Sequence, residues 1–582
     1  MRKALIALGV IATAIVLAPI AGARVDAPAG KQATPADLKL QILGLNDFHG
    51  NLRPPEGSGG RIGGAEPEGN AGGVEYLATT VRELRATNPN TLFVSAGDLI
   101  GATPLISAAF HDEPTIEAFN LMGLDFNGVG NHEFDEGVSE LLRMQYGNQP
   151  GGYRYFGRTN GCHPVDGCGD GSPFEGANFD FLAANVRYKS SGETIFPPYK
   201  IRNLGQGMKV AVIGMTLEAT PTIVTQSAVQ DINFFDEADS VNALIPLLKE
   251  QGVETIIVLL HEGGSSSGGI TPTTINQCNS PTGPVLDVVD RMDSEVDVVV
   301  TGHTNWAVNC VRPDGKVMTG AASFGRLVTD IDLTINAQTK DVDRSKTLVN
   351  NVIVKRTIPK AADLTALVAK WGTLAAPTEN RIVGGTNITL TRASNTAGES
   401  QLGEIIADAQ LAAAKLYQGG ADVAFMNAGG IRADINVGEI TYGEAFNVQP
   451  FANILVTMDM TGQQIVDVLQ QQFTITPPNT LLGNGILQIS SSLTYKRTPA
   501  DPSGQAGDLL SDVNVNGNPI NLGATYRVAL NNFLADGGDN FTVFRQGTNR
   551  FFGEIDLDAF ATWLTANNPV PAPPMNRITL GP

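Results

Sequence analysis

Leu38-Lys39-Leu40-Gln41-Ile42-Leu43-Gly44-Leu45 runs directly into Asn46-Asp47-Phe48-His49-Gly50. A short, mostly apolar run of this length, closed by Gly50, reads as a buried strand and its turn. Side chains alternate along extended backbone, so the D-x-H spacing puts Asp47 and His49 on one face. The same ending recurs down the chain. Residues 91–95 run into Gly97-Asp98, and 126–129 into Gly130-Asn131-His132-Glu133. Residues 255–260 run into His261-Glu262-Gly263, and 296–300 into Gly302-His303-Thr304-Asn305. A further apolar strand covers 209–213, and helical periodicity covers 74–84, 115–122 and 240–251. Strands alternating with helices predict a layered α/β domain. In such sheets ligands bind beyond the carboxyl ends of the strands, so these five segments are expected to converge.

The residue types at those ends are metal-ligand types. Carboxylate, imidazole and amide oxygen suit hard and borderline divalent ions, and one carboxylate can bridge two of them. The chain has six histidines, and His49, His132, His261 and His303 sit at strand ends. His111 and His163 lie outside the pattern and read as ordinary hydrogen-bonded side chains.

The rest of the 582 residues is too much for one core, so at least two domains are expected. Residues 359–376 have helical periodicity and read as a linker helix. Strands then restart at 382–390, and helices over 402–416, 461–471 and 556–566 alternate with strands over 423–426, 454–458 and 526–530. Residues 54–73 and 147–176 are Gly-rich loops. At the start, Arg2 and Lys3, the apolar run 4–20 and Ala21-Gly22-Ala23 read as a cleaved export signal, followed by a Pro/Ala linker over 24–37. No second run has spanning length, so no transmembrane anchor is expected after cleavage. The net charge of −20, without a long basic run, argues against binding a nucleic-acid backbone. It also means that an anionic substrate needs local cations. Four cysteines in an exported chain suggest two disulfides. Three pairings are possible, and proximity favours Cys162–Cys168 and Cys278–Cys310. A zinc site at Cys162 and His163 lacks the paired C-x-x-C spacing.

A second constellation lies in the later half. Asn427-Ala428-Gly429-Gly430-Ile431-Arg432 follows an apolar strand, and Gly-Gly there exposes backbone amides that suit an anion. Arg432 can fork onto a phosphate or carboxylate. Phe451 and Phe533 stand in polar, Gly-rich surroundings, where two rings could sandwich a nucleobase. Asp539 closes the second of these segments.

Taken together, these motifs resemble the calcineurin-like dinuclear metallophosphoesterases, and specifically the bacterial 5'-nucleotidases. The resemblance spans Leu38 to about Leu580. It implies an N-terminal layered β-sandwich flanked by helices (αββα), a linker helix and a C-terminal α/β substrate-binding domain. The expected boundaries are 1–23 for the signal peptide, 24–37 for the linker, 38–357 for the catalytic domain, 358–377 for the linker helix and 378–582 for the nucleotide-binding domain. It implies two divalent metal ions, one held by Asp47, His49, Asp98 and Asn305, the other by Asp98, Asn131, His261 and His303. Asn305 stands where the branch commonly has His or Gln. His132 and Asp135 would be the catalytic pair, with Asp135 orienting the imidazole. Asn427, Arg432, Phe451, Phe533 and Asp539 would contact the nucleotide, the two rings holding the base and Asp539 a ribose hydroxyl. A family arginine aligns with Gly398, and Arg392 lies nearby as a substitute.

The implied activity is hydrolysis of the 5'-phosphate of nucleotides by an exported enzyme through a metal-activated water. The alternatives are the same chemistry on UDP-sugars, dinucleotides, cyclic nucleotides or nucleoside di- and triphosphates, and a catalytically weak nucleotide-binding surface protein.

Overall fold

The computed structural model describes residues 36–55, 57–63, 69–148, 160–451, 453–473, 475–476, 480–481, 485–498 and 508–581. The export signal and most of the 24–37 linker lie outside the described residues.

Two six-stranded sheets build the first half. One has the order Leu348–Ile353, Leu327–Ile335, Leu38–Leu45, Thr91–Ser95, Phe126–Gly128, Asp180–Leu182. The other runs Ala307–Val311, Val317–Ala321, Val298–Thr301, Thr255–His261, Met208–Thr216, Tyr199–Gly205. Alternation decides how they pack. In Leu38–Leu45, Leu40 and Ile42 point between the sheets, where they meet Val210, Ile257 and Val298 in one buried cluster. Leu43 and Leu45 point the other way, into a cluster with Leu77, Phe119 and Trp371 from the helices Val74–Arg85, Glu113–Met122 and Ala362–Glu379. The outer face of the second sheet buries Val241, Leu248 and Val289 of Glu237–Glu250 and Val285–Arg291. Helix, sheet, sheet, helix is the expected αββα layering, each apolar face covered by its neighbour.

The helix Ala362–Glu379 starts three residues later than its periodicity suggested and continues through Pro377. Proline in the last turn removes a single N–H bond there, so the helix tolerates it. Beyond it lies a mixed sheet in the order Gln488–Ile489, Val423–Met426, Thr525–Asn531, Ile454–Thr461, Thr548–Ile555, flanked by Gln401–Ala414 and Asp556–Ala566. A second sheet of this half contains Leu509–Val515, Leu493–Thr498 and Ile578–Leu580.

Cys162 is bonded to Cys168 and Cys278 to Cys310. All four cysteines are therefore spent, and the alternative zinc site at Cys162 has no thiolate to use. Among the described residues, no helix is long and apolar enough to cross a membrane.

Candidate metal centre

Parallel pairing of Leu38–Leu45 with Thr91–Ser95, of Thr91–Ser95 with Phe126–Gly128, and of Thr255–His261 with Val298–Thr301 brings the carboxyl ends of both sheets to one place. The loops are then tied to each other by backbone. Asp47 N–H donates to the Gly97 carbonyl at 3.0 Å and His49 N–H to that of Asp98 at 2.9 Å. His303 N–H donates to Asp47 Oδ1 at 2.9 Å, and His132 N–H to Asp98 Oδ1 at 2.9 Å. Two glycines make this approach possible. A Cβ on Gly130 would stand 2.2 Å from Asp98 Oδ1, and one on Gly97 2.6 Å from the Gly130 nitrogen.

The result is a buried knot of donors. Asp98 Oδ2 lies 3.1 Å from His261 Nε2 and 3.7 Å from His49 Nε2, so it stands between two groups of ligands. Asn131 Oδ1 lies 2.9 Å from His303 Nδ1 and 3.1 Å from His261 Nε2. Ligand atoms about 3 Å apart are what metal–ligand bonds of ~2.0–2.2 Å require. Asp47, His49, Asp98, Asn131 and His261 are all buried. Asn305 follows on the His303 loop, and its Oδ1 is buried with no hydrogen-bond partner among the described residues.

Five of the seven candidate ligands, Asp47, His49, Asp98, His303 and Asn305, have left-handed backbone, with φ between 46° and 70°. That conformation is uncommon outside glycine, and its clustering in one place marks a site held against its local preference. The electrostatics agree. Burial pushes Asp47 up to about 7 and His49 and His303 down to about 3. Burial also disfavours charge on Asp98, but His261 and His132 outweigh it and keep the carboxylate ionised. Desolvated carboxylates facing imidazole and amide oxygens are stable when cations join them. The donor set therefore fits divalent ions.

His132 lies at the rim. Burial opposes its charge, but Asp135 and Asp98 raise its pKa, and its Nδ1 is 2.9 Å from Asp135 Oδ2. Asp135 is not a helix cap: Val138–Tyr146 begins after Gly137. Its visible partner is His132.

The later half reaches this rim. The Phe451 ring stacks on His132 at 5.7 Å between centroids and 21° between planes, and the Arg432 guanidinium lies 5.8 Å from the Phe451 centroid. Burial lowers the Arg432 pKa, and the charge of Arg392 lowers it further. Asn427 Nδ2 donates to Asp539 Oδ2 at 2.9 Å and Asn427 Oδ1 accepts from Asn531 at 3.1 Å. Phe533 is half-buried, packed against its own core and over Gly538. Gly398 has φ of 96° and a Cβ there would meet Ile486 at 2.5 Å, so this backbone leaves no room for an arginine.

Residues 40–306 match the calcineurin-like phosphoesterase family, and residues 374–546 match the 5'-nucleotidase C-terminal domain. A Listeria monocytogenes cell wall protein is 31% identical over 567 residues, 92% of this chain and 68% of its own. The chain belongs to this phosphoesterase family. A Bacillus subtilis protein named endonuclease YhcR is also 31% identical, over 94% of this chain, and the chain spans 42% of its length. The solved structure of a 5'-nucleotidase precursor from Thermus thermophilus superposes with a TM-score of 0.73 at 25% identity, covering 93% of this chain and 99% of that one.

Two residues of this phosphoesterase were given no role by sequence reasoning. Glu133 is buried, and its carboxylate accepts from the N–H groups of Asp98, Leu99 and Gly130 at 2.9, 2.9 and 2.7 Å and from Asn127 Nδ2 at 3.2 Å. It clasps two ligand loops at once. Phe324 follows the strand Val317–Ala321, and its N–H donates to the Asp47 carbonyl at 2.8 Å. The strand-end rule, applied to this short strand, would have reached it.

His111 and His163 lie outside the knot and stack on each other, 3.6 Å between centroids. Burial opposes charge on His111, but Glu136 and Asp166, 2.8 and 2.9 Å from its two nitrogens, raise it to about 9. Protonated His111 ties the Cys162–Cys168 loop to the turn after Asp135. Its folded pKa exceeds the unfolded ~6.5, so its stabilisation is complete below that pH and lost as pH rises through about 9. The wild-type Tm is expected to fall across this window more than that of His111→Gln, as scanning calorimetry from pH 6 to 10 would read.

Proposed function

We propose that the chain is an exported, metal-dependent phosphohydrolase that removes the 5'-phosphate of nucleotides, releasing nucleoside and phosphate. The observation that carries this reading is the packing of Phe451 against His132 and of Arg432 against Phe451, at the rim of the buried donor knot. A cation for phosphate and a flat apolar face for a base thus stand beside one metal centre. Export is supported by the positively charged and apolar start of the chain and by relatives named as a cell wall protein and a precursor.

In this reading Asp47, His49, Asp98 and Asn305 hold one divalent ion, and Asp98, Asn131, His261 and His303 the other. Such a pair, when bound, lowers the pKa of a coordinated water and neutralises phosphate oxygens. The protein's own groups do the rest. Asp135 occupies Nδ1 of His132, fixes the ring and favours the imidazolium, so the proton on Nε2 is available to the departing 5'-oxygen. Arg432 forks onto the phosphate and offsets the negative net charge locally. Phe451 and Phe533 stack the base, and Asp539, held by Asn427, takes a ribose hydroxyl.

The test is phosphate release from AMP, UMP, ATP, UDP-glucose, cyclic AMP and an aryl phosphate, with added Mn²⁺ or Zn²⁺ and with chelator. Chelator-sensitive release, fastest from a nucleoside monophosphate, supports the proposal. Release from the aryl phosphate alone would leave the nucleotide reading without support.

Arg392 stands in for a guanidinium at position 398. Its Nη1 is 3.4 Å from the Ile431 carbonyl, it is close enough to Arg432 to lower the latter's pKa, and neither forms an ion pair among the described residues. It lines a cavity of about 400 Å³ with Thr391, Ala428 and Asp434. Arg392→Ala is expected to raise KM for AMP roughly 10–150-fold with little change in kcat, the loss of one charge-assisted hydrogen bond of ~1.5–3 kcal/mol. Steady-state kinetics would show this split.

A further inference from the structure

Asp112 stands where a helix begins, and its side chain does not serve that helix. It precedes Glu113–Met122 at the N-cap, a position where Asp is favoured because its carboxylate accepts from free N–H groups of the first turn. Here the side chain makes no such bond. Its φ is 60°, a left-handed backbone that side chains adopt at a cost. The residue is also buried. A carboxylate that forgoes its cap in a buried, strained place is held by other partners.

Those partners lie on the loop after Asp98. Asp112 Oδ2 accepts from the Gly101 N–H at 3.0 Å. Its Oδ1 accepts from the hydroxyls of Thr103 at 2.8 Å and Ser107 at 2.6 Å. Gly101 has no side chain to anchor it and has no room for one. Its φ is 80°, and a Cβ there would stand 2.2 Å from the His132 carbonyl oxygen. Its place is therefore set through its backbone, and the N–H belongs to Asp112. Its carbonyl lies 2.9 Å from His49 Nδ1. A carbonyl only accepts, so Nδ1 carries the proton and Nε2 is left with its lone pair. Nε2 is the nitrogen that faces Asp98, 3.7 Å from its Oδ2.

We propose that Asp112 is a positioning residue for the metal centre, which fixes the tautomer and the aim of His49 through Gly101. This rests on the reading of His49 as a metal ligand given above. A ligand histidine is usually oriented by a carboxylate or carbonyl on its other nitrogen. Here that carbonyl is itself placed by a carboxylate one residue further out. Asp112 touches neither ion nor substrate. Its influence is one-sided: Asn131, His261 and His303 make no hydrogen bond with residues 99–112 among the described residues. The ion held by Asp47, His49, Asp98 and Asn305 depends on Asp112, and the other does not.

The tautomer is read first, without metal, from imidazole ¹⁵N shifts of chelator-treated protein labelled at histidine, with His49→Gln to assign the signal. The wild type should show His49 protonated at Nδ1. Asp112→Gly removes the carboxylate and suits the left-handed backbone, so the loop is not strained by the change. It should give a mixture of the two tautomers. Asp112→Asn keeps an acceptor for Gly101 and should retain the wild-type signal. So should Thr103→Ala, which removes a bond from the same carboxylate but leaves the one to Gly101. Zn²⁺ is then titrated into the stripped proteins by calorimetry. Asp112→Gly should weaken one ion about 10–100-fold and leave the other within about twofold. An unchanged His49 tautomer in Asp112→Gly would overturn the proposal. So would equal weakening of both ions, or a tautomer shift in Thr103→Ala as large as in Asp112→Gly, either of which would make the carboxylate a general support for its loop. If the wild type binds no metal, the general reading fails, while the tautomer still decides what Asp112 does to His49.

Discussion

His132→Ala is expected to lower kcat on nucleoside monophosphates by ~10²–10⁴-fold, the usual worth of a positioned general acid. KM and bound metal should change little, because in the proposed mechanism the lost group donates a proton and need not hold an ion. The imidazole is locked at Nδ1 by Asp135 and braced on its face by Phe451, so a water in the vacated space has neither the orientation nor the pKa to replace it. Asp135→Asn should have a smaller effect of the same kind, since the ring remains but loses the anion that favours its charge. Single-turnover kinetics with metal analysis of the same samples separates the outcomes. Loss of metal in parallel with kcat would move His132 from proton donor to ligand.

Glu133→Ala should damage the enzyme by another route. Four donors, three of them backbone N–H groups, converge on this carboxylate from the Asp98 and Gly130 loops and from Asn127. Each buried donor left unpaired costs ~1–3 kcal/mol. Support lost from behind metal ligands typically costs ~10–100-fold in affinity or activity. Both effects are expected together: a lower Tm and metal that dialyses away. Glu133→Gln keeps one acceptor oxygen but turns an amide N–H toward backbone N–H groups, so it should rescue little. Full metal content and an unchanged Tm in Glu133→Ala would show that the loops hold themselves.

The sequence made the sheets visible where a strand is buried on both faces. Leu38–Leu45, Thr91–Ser95 and Thr255–His261 are mostly apolar because one face meets the second sheet and the other the helices. The strands that were not seen lack that pressure. Thr548–Ile555 is mostly exposed and Leu509–Val515 buries only Val515 fully, and their alternation is blurred by polar residues on both sides. The candidate site was legible for a related reason. Strand ends are few, and the rare histidines gathered at them, so proximity in space followed from topology. Glu133 and Phe324 escaped because their importance lies in what they touch. Nothing in a lone Glu announces four donors, and a Phe before a Gly announces a turn before it announces a site. Asp135 is the converse: a helix-capping role fitted its position as well as the proposed one, and the start of the helix at Val138 takes the capping role away.

One pairing has a bearing on how the protein is made. Leu38–Leu45 lies beside Leu327–Ile335, with Leu38 opposite Ile335. At ~5–20 residues per second of synthesis, the earlier strand waits on the order of 15–60 s for that neighbour. Its edge is bare throughout, an open template for the wrong partner. A chain with this wiring gains little by folding as it emerges. It is better kept extended by holding factors until residue 335 is free, and an extended chain is also the form that threads a narrow translocation pore.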